Sequence, residues 1–549
     1  MNERSAEAFG PAELALLFVA CVGLALVLYR PALHGPFVSD DLHYVAQNRR
    51  VHDLSLENLK ALADPRGAVA IDVVNYAPLQ MLGHALAWRA FGPETFGHHV
   101  VNVVLHVISA MLLSWLLVTT GVPRSAALVA GAIFLVHPAN VEAVAWVSQL
   151  KSALALPLAI GALLALPRRA WLATWLFAAA LLAKATAVCV LPAAALLEWS
   201  RTGRVRAPWL VAWLVCFAVY AVVEFGMHQR TGAADAALYG TPFVLLRTVA
   251  ALGARYAVLA VSGWPTSTFH EPEPAFSLLD PWWLLALPLL GIALWRVAAA
   301  LRARSAEAAY WVWAAVAFAP ISQVFPFLYP FADRYLYFIL PGLLGAVLLA
   351  GQRVLVQSPA AHRQALARVG LLVGLVLIVG FAARTPGRAA VWRSNTALLL
   401  DAAEHYPDGK VASVLEAKRA ARVGDVQTAI AALRRAVSRG FNRFEQLETD
   451  PSYAPIREAP QFRALVAELA STWIESAREK RGLTPSELRS VAHAHIARGE
   501  PEQALSLLDA AGVRGGPYAA EFEAEARAIR AGLAIGEPGR IRLRANGPR

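Results

Sequence analysis

Stretches of about 20 apolar residues recur along this chain from Glu13 to Ala383, each long enough to cross a hydrocarbon core of roughly 30 Å. No water reaches a backbone there, so such stretches fold as helices that satisfy their own N–H and C=O groups. No other feature constrains the fold as much. Composition agrees: 57% of residues are hydrophobic and 16% charged, against roughly 45–50% and about 25% in soluble domains. A water-soluble globule and a disordered chain are both excluded.

The spans read as 14–29, 99–118, 126–141, 152–166, 170–183, 186–199, 208–225, 282–298, 309–328, 335–351 and 369–383. The 243–262 stretch is apolar too, but Arg247 and Arg255 lie within it. Each arginine would cost about 2.5–3.5 kcal/mol at a bilayer centre, so this stretch is expected to be re-entrant or interfacial. Eleven crossings remain. Arginines gather in alternate connections, at Arg124, Arg168-Arg169, Arg201/Arg204/Arg206, Arg296/Arg302/Arg304 and Arg353/Arg363/Arg368. The positive-inside rule puts those connections and the N-terminus in the cytoplasm. The first loop, 30–98, and the C-terminal tail then face outward, into the periplasm if the membrane is a cell's inner one.

The net charge of +11 is therefore a topology signal and gives no support to nucleic-acid binding. Cys21, Cys189 and Cys216 all lie in apolar stretches without CxxC spacing, which argues against a disulfide framework or a zinc site. Leu14–Leu28 lacks a clear cleavage site and reads as a retained first span.

The expected fold is all-α: a polytopic helical bundle over 1–385 with the outer loop 30–98, a helical repeat domain over 386–535, and a disordered Arg- and Gly-rich end over 536–549. Amphipathic segments around 42–63 and 77–91, the second with Trp88 and Phe91, are expected to lie in the membrane interface. In the tail, Ala417 to Gly424-Asp425 to Ala429 and Ala492 to Gly499-Glu500 to Ala504 repeat one pattern about 75 residues apart. That is near twice the roughly 34-residue tetratricopeptide (TPR) period.

Four groups of residues have the chemistry of a site. Asp40 and Asp41 follow the first span, where a carboxylate can serve as general base toward a hydroxyl, although Ser39 or Asp40 also suits a helix cap. His99, Asn102, His106 and Ser109 share one helix face, which suits either a water-filled cavity or hydrogen bonding between helices. His137 opens a segment running through Glu142 and Trp146 to Lys151. Lys151, Lys184 and Arg334, which follows Asp333, come from separate loops on one membrane side, where a phosphate would need fixed cations. No metal site is indicated, and the sequence contains no P-loop, GxSxG or HExxH.

In order, Phe37-Val-Ser-Asp-Asp41, Asn75-Tyr-Ala-Pro-Leu79, Phe96-Gly-His-His-Val-Val-Asn102 with His106, His137-Pro-Ala-Asn-Val-Glu142 with Trp146, and Ala332-Asp-Arg-Tyr-Leu-Tyr337 resemble the transmembrane-and-TPR O-mannosyltransferase family and its bacterial GT-C glycosyltransferase relatives. Val391-Trp-Arg-Ser394 is similar to that family's entry into its repeats. The resemblance implies an inverting transfer of mannose or a similar sugar from a polyprenyl-phosphate donor to a protein or glycan hydroxyl at the outer face. The TPR-like tail would engage the acceptor, no cofactor is expected, and the need for a divalent cation stays open. Asp40 or Asp41 would be the base. Arg334, Lys151 and Lys184 would hold the donor phosphate, and Asp333, His99, Asn102, His106, His137 and Glu142 would support the site.

The chain departs from the family at Ala77 and Leu150, where the family has arginine, at Ser152, where it has aspartate, and at Ala183 and Ala185, which flank Lys184 where the family reads Ser-Lys-Pro. A non-enzymatic membrane-anchored TPR scaffold is the alternative. A secondary transporter would need two matching halves with Gly/Pro-interrupted spans, and the sequence shows no such symmetry.

Overall fold

The computed structural model describes residues 10–73, 75–231, 239–324, 329–441, 443–480, 482–513 and 516–534. The expected disordered end, 536–549, lies outside them. The described residues are helices and turns, with no strand among them.

Among the described residues, eight helices are long and apolar enough to cross a membrane, nine if Arg124–Val136 and Pro138–Ala145 form one span bent by 50°. This is fewer than the expected eleven, for local reasons. Pro138 lacks an N–H and starts a new helical piece, so the 126–141 stretch bends. The 186–199 stretch divides into a 3-10 turn, Ala185–Cys189, and the helix Val190–Thr202, because the chain is extended at Lys184. Ala170–Ala183 and Glu307–Ile321 are apolar but short. Pro242–Ser262, expected to be interfacial, is one unbroken helix and passes the same test of length and composition.

The chain forms two compact units. The first comprises Met1–Asp41, Leu79–Val222 and Ala234–Leu398, and holds the apolar bundle. Wide apolar surfaces stay exposed on it, as on Pro281–Arg302 and Ala360–Val391, whose most apolar windows are each only 11% buried. Such surface is what a lipid-facing helix presents.

The second unit comprises Leu42–Pro78, Val223–Ala233 and Leu399–Arg549. The first part of the outer loop thus belongs with the tail, where an interfacial position was expected. Its pieces are short: a π-turn at Leu42–Ala46, a 3-10 turn at Arg49–Val51, and helices Leu56–Ala63 and Ala68–Val73. Gly516 makes the association possible, since a Cβ there would meet Asp72 Oδ2 at 2.0 Å. His43 stacks on Tyr518 with ring centroids 4.0 Å apart. Tyr76 N donates to Glu224 at 2.9 Å, joining the end of the Ala207–Thr231 helix to the same unit.

The repeated tail pattern marks helix hairpins. Lys410–Arg422 pairs with Val426–Ser438, and Pro485–Ala497 with Pro501–Gly512. Gly424 and Gly499 turn the chain with φ of +79° and +76°, values that side chains resist. Ala417, Ala421, Ala429, Ala432 and Ala436 are fully buried, so the first pair packs with little between its backbones.

Candidate active site

The breaks at His137-Pro138 and at Trp146 leave carbonyls without intrahelical partners, and the polar face of the Thr95–Thr119 helix meets them. Asn102 Nδ2 donates toward the carbonyls of Val144, Trp146 and Val147 at 3.3, 3.1 and 3.4 Å. His106 Nε2 lies 3.1 Å from the Leu135 carbonyl, so it donates there, and Nδ1 accepts from the Tyr337 hydroxyl at 3.1 Å. His137 Nδ1 accepts from Ala139 N at 3.2 Å, and its Nε2 reaches the Ala260 carbonyl at 3.2 Å. Ser109 bonds to the carbonyl of Leu105 in its own helix, and His99 is buried beside them. Asn102, His106 and His137 thus hold backbone in place.

What they hold is the turn from Trp146 to Ser152, which starts the Leu150–Ala165 helix. Ser148 donates to Asp41 Oδ1 twice, from its N–H at 2.7 Å and its hydroxyl at 2.5 Å. Asp41 Oδ2 accepts from Val38 N at 3.1 Å. Asp41 is fully buried, and burial pushes its carboxyl up to about 7 despite those bonds. Asp40, next along, is only half-buried. Ser39, just before it, sits at φ +53° and is held by its N–H donating to Asn395 Oδ1 at 2.9 Å. A non-glycine residue in that region stores strain of about 1–2 kcal/mol. The expected helix cap is replaced by a clamp: Asp41 bonds back to Val38 and across to Ser148.

The same turn carries the cations. Lys184 Nζ donates to Ser152 Oγ at 2.7 Å, and Ser152 donates to Gln149 Oε1 at 2.9 Å. The charged neighbours acting on Lys184 are Lys151, Arg334 and Glu142, so the three separate loops do converge. Arg334 is held hardest. Its guanidinium pairs with Glu142, its N–H donates to Glu142 Oε2 at 2.8 Å, and it lies over the rings of Trp146, Tyr329 and Tyr335 at 5.5, 5.0 and 4.8 Å. The acid that orients Arg334 is therefore Glu142. Asp333, expected among the supporting residues, bonds to His270 Nε2 at 2.7 Å with both side chains buried.

Ser148, His270 and Tyr329 escaped the sequence reading. Trp146 and Tyr335 were visible inside the motifs, whereas nothing local marks Ser148 or His270 as partners of distant carboxylates. Among the described residues, no three His, Cys, Asp or Glu side chains gather as a metal site.

No protein-family model and no solved structure matches the chain. Over 130 residues, 23% of its length, the chain is 38% identical to Protein O-mannosyl-transferase Tmtc1 of Drosophila melanogaster, and the match covers 15% of that protein.

Proposed function

We propose that the chain is a membrane glycosyltransferase of GT-C type, moving mannose or a similar sugar from a polyprenyl-phosphate donor to a hydroxyl of a protein acceptor. The observation that carries this reading is the Trp146–Ser152 turn, which binds Asp41, the neighbour of Asp40, at Ser148 and Lys184 at Ser152. A base for the acceptor and cations for a phosphate leaving group are thus fixed to one short piece of backbone.

Asp40 is the base in this reading, because it keeps partial exposure toward an acceptor while Asp41 is fully buried. The acceptor oxygen attacks the anomeric carbon opposite the phosphate, and its proton passes to Asp40. The C–O bond to phosphate breaks with its electron pair going to the phosphate oxygen. Lys184 and Lys151 stabilise the charge that builds there, with Arg334 fixed at its post by Glu142. Cations held rigidly in a dry site need no reorganisation during the reaction. Ser152 accepts from Lys184 without cancelling its charge, as an acid at this position would. The donor tail would lie in lipid and the helix-pair tail, read as TPR-like, would engage the acceptor, both on the periplasmic side.

A scaffold without turnover is the second reading. It is favoured by Ala77 and Leu150, buried apolar residues at two positions where the resemblance calls for arginine. Consumption of polyprenyl-phosphate-mannose by membranes with and without the chain separates the two. Faster consumption with the chain supports the enzyme, and equal rates over a range of acceptors support the scaffold.

A further inference from the structure

We infer that the Pro242–Ser262 helix lies along the membrane surface at the end of the bundle that carries Asp41 and Arg334, with its exposed apolar face in the lipid of that leaflet, and does not cross.

At 1.5 Å per residue its 21 residues are about 31 Å long, so a crossing helix would touch opposite ends of its neighbours. Instead, ties before, within and just after the helix each reach one end of their neighbours. Beyond its last turn, Gly263 abuts Pro138 and Phe381, and His137 reaches Ala260. At its middle, the Tyr256 hydroxyl donates to the Ala332 carbonyl and accepts from Ala332 N, each at 3.2 Å, just before Asp333. Arg255 lies 4.5 Å over the ring of Trp282, at the start of the Pro281–Arg302 helix. Before its first turn, the Tyr239 hydroxyl donates to Gln323 Oε1 at 2.9 Å, beyond the end of Glu307–Ile321. The other ends of these neighbours carry different ties, such as Arg296 to Glu307 at 2.8 Å and Thr120 to Tyr310 at 2.9 Å.

The occupant of the exposed face follows from its chemistry. Phe243, Leu246 and Val261 are 76%, 61% and 69% exposed, and Trp264, Phe276 and Leu279 continue the patch in the next segment. Arg247 is turned to the carbonyls of Ala275 and Phe276, at 2.9 and 2.8 Å. An in-plane helix with apolar and aromatic residues outward and its arginines satisfied suits the boundary of headgroups and acyl chains. Through Tyr256 this lipid-seated helix holds the backbone that leads into Asp333 and Arg334.

The test uses the full chain in sealed vesicles, with Cys21, Cys189 and Cys216 replaced by alanine. Thr241→Cys and Ser262→Cys mark the two ends, and Phe243→Cys is a second probe at the first end because Thr241 caps the helix. Each cysteine is assigned a side by whether a membrane-impermeant maleimide blocks it before or only after permeabilisation. Assignment of both ends to one side is expected, and assignment to opposite sides overturns the inference. A bimane label on Leu246→Cys should be quenched by brominated phosphatidylcholine, and an unquenched label would overturn the seating in lipid.

Discussion

Two clusters of buried charge, one in each unit, are built on opposite terms. In the tail, His493 is fully buried between Glu448 and Glu525, at 3.7 and 3.5 Å, while Arg489 meets Glu521 and Glu525 at 2.7 and 2.6 Å. Cations and carboxylates alternate there, and the two carboxylates hold the His493 imidazole up to about 9 although burial opposes its charge. In the bundle, Lys184 has a neutral hydroxyl as its hydrogen-bond partner, and two of its three charged neighbours are cations. A balanced cluster joins helices. Burial and the neighbouring cations hold the Lys184 ammonium well below the ordinary lysine range, and in the proposed function a bound anion would restore its charge.

Replacing the base should have the largest effect. Asp40→Asn keeps size and hydrogen bonding but removes basicity, and a lost general base is worth about 10²–10⁴ in rate. Asp41→Asn should change the rate little and instead loosen the clamp to Ser148 by about 1–3 kcal/mol. Donor consumption at matched protein levels checks both. If Asp41→Asn is the slower variant, the two roles are reversed.

In the tail, removing the buried cation should cost stability. His493→Leu leaves Glu448 and Glu525 facing an apolar side chain, a change worth about 3–5 kcal/mol in other buried pairs. Hydrogen exchange over Pro485–Ala497 in the full chain would show it. Unchanged protection would mean that the cluster contributes nothing to holding those helices.

A smaller, graded effect should follow pH. The His493 pKa is raised in the folded chain to about 9 from its ordinary 6.5. Its contribution is therefore complete below 6.5, shrinks as pH rises because only the unfolded chain then loses the proton, and is gone above about 9. Tail protection, corrected for intrinsic exchange rates, should fall across that window. In His493→Leu this part of the pH dependence should disappear.

How much of this was legible in the sequence depended on range. Crossing helices were visible because length and apolarity are local properties, and the tail hairpins were visible because Gly424-Asp425 and Gly499-Glu500 repeat. Bends at Pro138 and Lys184 shortened several spans, a matter of local backbone that hydropathy does not record. The assignment of 42–78 to the tail depends on Gly516 meeting Asp72, a contact between residues far apart in the chain. The site was legible in part: the three cations were found by their common side, but Ser148 as the clamp and Glu142 as the partner of Arg334 required the fold. The stripe His99, Asn102, His106 suited either a cavity or hydrogen bonding between helices, and the partners of Asn102 and His106 are mostly backbone carbonyls.

The central claim is that the excess cations around Lys184 recognise a lipid-linked phosphate. Binding of radiolabelled polyprenyl phosphate to the purified full chain in lipid nanodiscs tests it most directly, because no acceptor or turnover is needed. The account predicts that Lys184→Met weakens binding by at least about tenfold, roughly the 1.4 kcal/mol lower bound for one lost charge-assisted contact, while Asp40→Asn binds as wild type does. Equal binding by wild type, Lys184→Met and Asp40→Asn would contradict it.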